Sequence, residues 1–326
     1  MPLIKSFYAF QFPGQPEVLL RGGQAKAMNW GDMLECSQVL FASEFGASVL
    51  QATEGLEPCT WSDLQASLAM QPHGPLNPID SFQWAQGIEQ VQNSIQSGRI
   101  EKLVLARHRA CLSDSEPDLL QWWKGLRSRH APAFCYAYSD PVLGMWMGAS
   151  PEHLLQWKDG LGTILSLAGT LREGQSWTEK EQLEQSVTSR FIEEVLQVEG
   201  LPFEVDSRRE IAYGEIRHLR NEYRFDLPKE KLADLLLALN PTPAVAGYPQ
   251  HESLRMLKQE FDFERGAYSG VLGYWNGSEL QAWVQLRCAR LFRNGHWLFA
   301  GAGINAGSVA DMEWAETQAK MDSLGL

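Results

Sequence analysis

Short apolar runs bounded by Gly, Pro and polar residues recur along the chain, and each predicts a β-strand. Near the start they fall at 6–12, 17–21 and 38–42, as in an antiparallel sheet. The polar, proline-containing span 71–78 reads as a linker. Beyond it, Asp80 or Ser81 can cap a helix whose apolar stripe is Phe82, Ala85, Ile88, Val91 and Ile95, with Gly98 as the stop. A strand at 102–107 follows, with Lys102 and Arg107 at its ends, then a helix over 117–128 and strand-like runs at 133–138, 145–149, 153–157 and 163–168. Thr178 and Glu181 have capping-box spacing and open a long helix to about Val198, with Leu183, Val187 and Phe191 turned inward. The remaining pattern predicts a strand at 203–205, a further segment at 213–226, a helix at 232–239, the loop 240–247 and strands at 268–275, 280–291 and 297–300. A last helix follows the glycine-rich turn Gly301-Ala302-Gly303. Long strands interrupted irregularly by helices predict an α+β fold with large antiparallel sheets, not a doubly wound parallel one.

Composition narrows the class. With 44% apolar and 21% charged residues in 326, the chain is globular and long enough for a substantial core. No apolar run reaches the length of a membrane span, and the start MPLIKSFYAF lacks a signal-peptide pattern, so a cytoplasmic location is expected. The five cysteines, Cys36, Cys59, Cys111, Cys135 and Cys288, contain no CxxC pair, which predicts buried reduced thiols in place of disulfides or a zinc site. A net charge of −12 argues against nucleic acid as a partner. An anionic ligand would need local groups or a bound metal to overcome that field.

Several positions could carry chemistry. Glu313, Glu316 and Lys320 recur at i, i+3 and i+7, on one face of the last helix, and Glu181 and Glu184 form a second i, i+3 pair. Two such helices facing each other could bind Mg²⁺, while solvated faces and a closed capping box account equally for the spacing. Lys102 can act as a base if desolvated and is otherwise an edge charge. Glu152, in the turn Ser150-Pro151-Glu152, can stay protonated if packed against apolar groups and is otherwise an exposed turn residue. Arg287, within the predicted strand 280–291, calls for an anionic partner, either a ligand carboxylate or an internal acid. Gly301 and Gly303 allow close backbone approach to a ligand and offer it amide donors.

Lys102-Leu103-Val104-Leu105-Ala106-Arg107, Gly148-Ala149-Ser150-Pro151-Glu152, Leu167-Ala168-Gly169-Thr170, Pro241-Thr242-Pro243-Ala244-Val245, Tyr268-Ser269-Gly270, Leu286-Arg287 and Ala300-Gly301-Ala302-Gly303-Ile304 through Glu313-Trp314-Ala315-Glu316-Thr317 follow one another in order. This series resembles the motifs of the chorismate-utilising enzymes, over about residues 82–324. The resemblance implies a single chorismate-binding domain of two large packed antiparallel sheets with helices outside. Residues 1–80 would form a shortened N-terminal sheet region and 81–326 the core.

It also implies Mg²⁺-dependent chemistry on chorismate. Members that add water at C2 carry a lysine at the start of the KxxLAR-like strand, and aminating members usually do not, because water must give up a proton as it attacks. Lys102 therefore implies water addition and isochorismate as product. Ala168, where the similar aminodeoxychorismate synthases place a nucleophilic lysine, agrees. Salicylate formation and a catalytically silent chorismate-binding protein are the alternatives, and the product would feed menaquinone or siderophore synthesis. By similarity Lys102 is the base and Glu152 the acid, and Glu181, Glu184, Glu313 and Glu316 hold Mg²⁺. Tyr268, Arg287 and the amides of Gly301 and Gly303 would hold the pyruvyl carboxylate, while Gly169, Thr170, His218, Thr242 and Lys320 line the remainder. The water-adding members imply a monomer with no amidotransferase subunit. The chain departs from the pattern at Leu165, where several members have Glu, and at Asn240, where related enzymes often have His.

Overall fold

The computed structural model describes residues 5–69, 78–113, 115–172, 177, 179–213, 216–261 and 263–326; the side chains at 69, 168–172, 179–181, 212, 213, 216 and 218 also lie outside the described set. The N-terminal part comprises β1 (Lys5–Gln11), β2 (Leu19–Asn29), α1 (Trp30–Glu35), β3 (Val39–Ala42), β4 (Val49–Pro58) and α2 (Trp61–Ala69). Then follow α3 (Ser81–Gln96), β5 (Lys102–Leu112), α4 (Leu119–Arg129), β6 (Phe134–Asp140), β7 (Gly144–Ser150), β8 (His153–Lys158), β9 (Leu161–Arg172) and α5 (Glu179–Val198). The C-terminal part comprises β10 (Phe203–Val205), β11 (Arg209–Tyr213), β12 (Ile216–Asp226), α6 (Leu232–Leu239), β13 (Gly247–Tyr248), α7 (Gln250–Gln259), β14 (Val271–Trp275), β15 (Glu279–Val284), β16 (Cys288–Phe292), β17 (Gly295–Ile304) and α8 (Ala310–Asp322).

Every described strand pairing is antiparallel, and the expected two layers are one continuous ladder folded on itself. One half runs β13, β5, β17, β16, β7, β6, β1. The β1–β2 hairpin carries it into the other half, β2, β4, β3, β14, β15, β8, β9, β12. The inner faces meet in an aromatic core, where Phe134 of β6 stacks on Trp283 of β15 at 3.9 Å and 6°. Helices cover the outer faces, for example α4 and α2 over β6 and β7 through Trp123, Leu126, Leu64 and Leu68. All five cysteines are free thiols; Cys135 and Cys288 are buried as expected, whereas Cys36, Cys59 and Cys111 are only partly buried.

Most strands and long helices fall where the hydrophobic pattern places them, and the exceptions have local causes. The six-residue α1 is too short to show a helical period, and it is held by Asn29, whose Oδ1 accepts from Asp32 N at 2.7 Å. The strand β4 and the helix α7 are absent from the predicted pattern, and β2 continues well beyond residue 21. On α3 Asp80 caps the helix as predicted and closes a capping box with Gln83, but the buried stripe is Trp84, Ile88, Val91 and Ser94, leaving Phe82 69% exposed. Leu183 of α5 is likewise 48% exposed, while Val187 and Phe191 are buried as expected. Thr178 and the Glu181 side chain lie outside the described residues, and with them the capping box proposed there.

Two corrections bear on the site. The predicted strand 280–291 is interrupted between β15 and β16, because Arg287 adopts a left-handed φ of 44°. Gly301-Ala302-Gly303 is not a turn: it is the end of β17, with Gly301 opposite Ala106 and Gly303 opposite Val104 of β5. The turn before α8 falls later, closed by Ser308 N donating to Asn305 O.

Candidate active site

One cavity, about 100 Å³, gathers the residues singled out from the sequence. Its lining includes Lys102, Glu152, Glu184, Tyr268, Arg287, Gly301, Gly303, Glu316 and Lys320. A larger cavity of about 780 Å³ lies elsewhere, walled by Trp84, Phe261 and Phe263 among others. It contains none of these groups, so size does not identify the reactive site.

Lys102 is the first residue of β5, opposite Tyr248 of β13, and is only 4% exposed. A Cβ on Gly303 would lie 2.7 Å from Lys102 Cε and 3.0 Å from Glu184 Oε1. The glycine is therefore what lets the Lys102 side chain and the Glu184 carboxylate converge on β17.

Glu152 occupies the turn between β7 and β8 and is 7% exposed. Its backbone is bound on both sides, Glu152 N donating to Ser150 Oγ at 3.2 Å and Val284 N donating to Glu152 O at 3.0 Å. Burial pushes its carboxyl up to about 7, opposed by the hydrogen bond from Thr242 and by the positive charges of Lys102 and Lys320. Thr242 donates through Oγ1 to Glu152 Oε1 at 3.3 Å. Thr242 thus stands behind the acid and is not part of the cavity lining; Ala244 and Val245 of the same loop line it instead.

The anion-binding side is built by close backbone contacts. The strained Arg287 is braced where Ala149 N donates to its carbonyl at 3.0 Å and Tyr136 Oη donates to the Leu286 carbonyl at 3.1 Å. Gly148 makes this possible, since a Cβ there would stand 2.6 Å from Arg287 O. Tyr268 is buried with its ring stacked on Phe299 at 5.5 Å, and burial holds its hydroxyl well above the usual phenol range. Val104 N donates to Ala246 O, away from β17, so the facing pairs Val104/Gly303 and Ala106/Gly301 are not hydrogen-bonded across the ladder. The amides of Gly301 and Gly303 therefore face the other edge, and Lys320 Nζ reaches the Gly301 carbonyl there at 2.9 Å.

Helix α8 carries the carboxylates and is pinned to β5 by Arg107. The Arg107 guanidinium lies 3.6 Å from the Trp314 ring centroid, and its Nε donates to Thr317 Oγ1 at 2.7 Å. Glu316 accepts from Lys320 Nζ at 2.7 Å, with its side chain 29% exposed. Glu313, one turn earlier, is buried to 1% and is not in the lining. Among the described residues no three metal-ligating side chains form a ready cage. Two carboxylates, Glu184 and Glu316, with no imidazole or thiolate among the described lining residues, nevertheless fit Mg²⁺, which is commonly bound by one or two carboxylates and completes its shell with water and ligand oxygens.

The side chains of Gly169, Thr170, Glu181 and His218 lie outside the described residues. Leu165 is not in the lining of this cavity. Sequence reading missed its apolar walls, Val104, Leu167, Val245, Leu286 and Phe299. Two of them carried a signal: Val104 is two residues from Lys102 on β5, and Phe299 is two from Gly301 on β17, so each shares a strand face with a polar candidate.

Comparison with known proteins identifies the family. The family of chorismate binding enzymes matches residues 62–325. Over 267 residues, 77% of this chain and 56% of the relative, the chain is 32% identical to the salicylate biosynthesis isochorismate synthase of Pseudomonas aeruginosa. The chain thus spans about half the length of the curated relatives it matches, 42% in the case of isochorismate synthase 2, chloroplastic, of Arabidopsis thaliana. Among solved structures, the menaquinone-specific isochorismate synthase MenF of Escherichia coli superposes with a TM-score of 0.80 at 20% identity, covering 98% of this chain and 88% of that one. Anthranilate synthase component I of Streptococcus pneumoniae superposes with a TM-score of 0.69 at 18% identity, covering 100% and 93%. At these identities the two structures establish the fold alone.

Proposed function

This chain belongs to the chorismate-binding enzyme family, and from that premise we propose that it converts chorismate to isochorismate. The observation that carries the reading is the burial of Lys102 and Glu152 in the lining of one cavity, one as base and one as acid. Water attacks C2 of the ring and gives its proton to the neutral amine of Lys102. Both ring double bonds shift, from C1=C2 and C5=C6 to C1=C6 and C4=C5, and the C4 hydroxyl leaves as water after taking the Glu152 proton. A carboxyl held near 7 is a sound donor at neutral pH, since it is still substantially protonated there.

Arg287, Tyr268 and the Gly301 and Gly303 amides would orient the pyruvyl carboxylate, the guanidinium by a bidentate contact. Glu184 and Glu316 would hold Mg²⁺, with Glu313 and Glu181 in support. The cation, when bound, neutralises the ring carboxylate and withdraws electron density from the ring. Lys320, bonded to both Glu316 and Gly301, ties the metal side to the carboxylate side. The same reading makes the protein a cytoplasmic monomer that needs no amidotransferase subunit. Among the described residues no helix is long and apolar enough to cross a membrane.

The test is to incubate the purified protein with chorismate and Mg²⁺ and resolve products by HPLC. Isochorismate is expected. Salicylate with pyruvate would move the assignment to salicylate synthesis, turnover only with ammonia would move it to an aminating enzyme, and Mg²⁺-dependent binding without turnover would leave a silent chorismate binder.

A further inference from the structure

Arg265 is a buried guanidinium that none of the site assignments uses. It sits between α7 and β14, where Nη1 donates to the Val245 carbonyl at 2.6 Å and Nη2 to the Val104 carbonyl at 2.5 Å. Its guanidinium carbon lies 4.2 Å from the Phe45 ring centroid, and Phe45 is itself fixed by its N–H donating to Gly266 O at 3.0 Å. The two carbonyls belong to different walls of the cavity. Val104 is two residues after Lys102 on β5, and Val245 closes the turn that begins at Thr242, with Val245 N and Ala246 N both donating to Thr242 O, at 3.1 and 2.9 Å.

The ladder explains why an arginine is needed. β13 pairs with β5 only at Gly247/Leu103 and Tyr248/Lys102, flanked by a bond from Glu101 N to Tyr248 O at one end and by one from Val104 N to Ala246 O at the other. Beyond that bond the chain leaves the β5 edge, and the next carbonyl on it, that of Val104, has no strand to donate to it. A buried carbonyl needs a donor. The planar fork of Arg265 supplies that donor and at the same time reaches across to Val245, which one ammonium could not do for both carbonyls with the same geometry.

We infer that Arg265 is a positioning residue that fastens the Lys102 strand to the Thr242 turn and so sets the separation of base and acid. The inference rests on the reaction proposed above, because the acid is reached through Thr242, whose hydroxyl donates to Glu152.

The experiment compares Arg265→Lys, Thr242→Val, the double variant and wild type, by steady-state kinetics on chorismate and by amide hydrogen exchange followed by mass spectrometry. Arg265→Met, which leaves both carbonyls bare, is carried as the severe variant. In Arg265→Lys, kcat is expected to fall roughly 10- to 100-fold, as for a small displacement of reacting groups, with KM within about threefold. In the Thr242→Val background the same change is expected to cost less than about threefold more, because both act along one path. Exchange is expected to quicken in peptides covering 102–106 and 242–248 together and to stay unchanged elsewhere. Fully additive losses, a rise in KM matching the fall in kcat, or unchanged exchange in those two segments would overturn the role. A wild-type protein that forms no isochorismate removes the proposed reaction, and the exchange result still decides whether Arg265 ties the two walls together.

Discussion

The two sides of the cavity are made of different material. On one side Lys102, Glu152 and Arg287 sit in strands or in the short turns between them, almost wholly shut off from water, and Gly301 and Gly303 stand beside them on β17. On the other side Glu184 and Glu316 project from α5 and α8, and the Glu316 and Lys320 side chains keep access to solvent. The strand side shifts the pKa of its acid by burial and holds the reacting groups in fixed places, which proton transfer requires. The helix side offers carboxylates that can adjust around a cation which retains its own waters. Preorganisation and adaptability are thus divided between two kinds of secondary structure.

The comparison predicts a graded set of losses. Removing a reacting group from the strand side is the most damaging: Glu152→Gln and Lys102→Ala are each expected to lower kcat on the order of 10³-fold, about 4 kcal/mol in the barrier. Chorismate binding measured by calorimetry is expected to stay nearly unchanged in both. Gly303→Ala strikes both sides at once, since its methyl would push on Lys102 Cε and Glu184 Oε1. HPLC kinetics are expected to show a loss of about 10²-fold in kcat/KM, the scale of a misplacement near 1 Å.

Changes confined to the helix side or to support of the acid are milder. Glu316→Gln is expected to raise the Mg²⁺ concentration for half-maximal rate about tenfold or more, with a smaller loss at saturating metal, while chelation with EDTA abolishes turnover. The smallest effect concerns pH. The reaction needs Glu152 protonated, so kcat/KM is expected to fall about tenfold per unit as pH rises beyond about 7. The Thr242 hydrogen bond favours the carboxylate, so Thr242→Val raises the pKa of Glu152 and moves that limb to higher pH. A limb unmoved in Thr242→Val would show that another group sets it.

The helices α3 and α6 and most strands were legible because their apolar runs are bounded by caps, glycines and prolines, as with Asp80 before α3, whereas α8 was legible from the spacing of Glu313, Glu316 and Lys320. The elements that escaped were short or polar, such as α1 and α7. On α3 the buried stripe keeps Ile88 and Val91 but takes the larger Trp84 in place of Phe82, and on α5 it keeps Val187 and Phe191 and leaves Leu183 at the exposed edge. Gly301-Ala302-Gly303 was read as a turn because small residues mark turns; here they thin a strand where two side chains converge.

What the sequence determined by itself was the fold class, the ordered motif series and the residue types available for acid, base, anion and metal binding. These follow from local periods and from chemistry written one residue at a time. Only the tertiary structure decided which of them share a cavity, that Glu152 is buried enough to hold its proton, that Thr242 stands behind it, and that Arg265 bridges Val104 and Val245. Those outcomes depend on desolvation and on contacts between distant segments, 161 residues apart for Arg265 and Val104 and 210 for Arg107 and Thr317, and no local pattern encodes either.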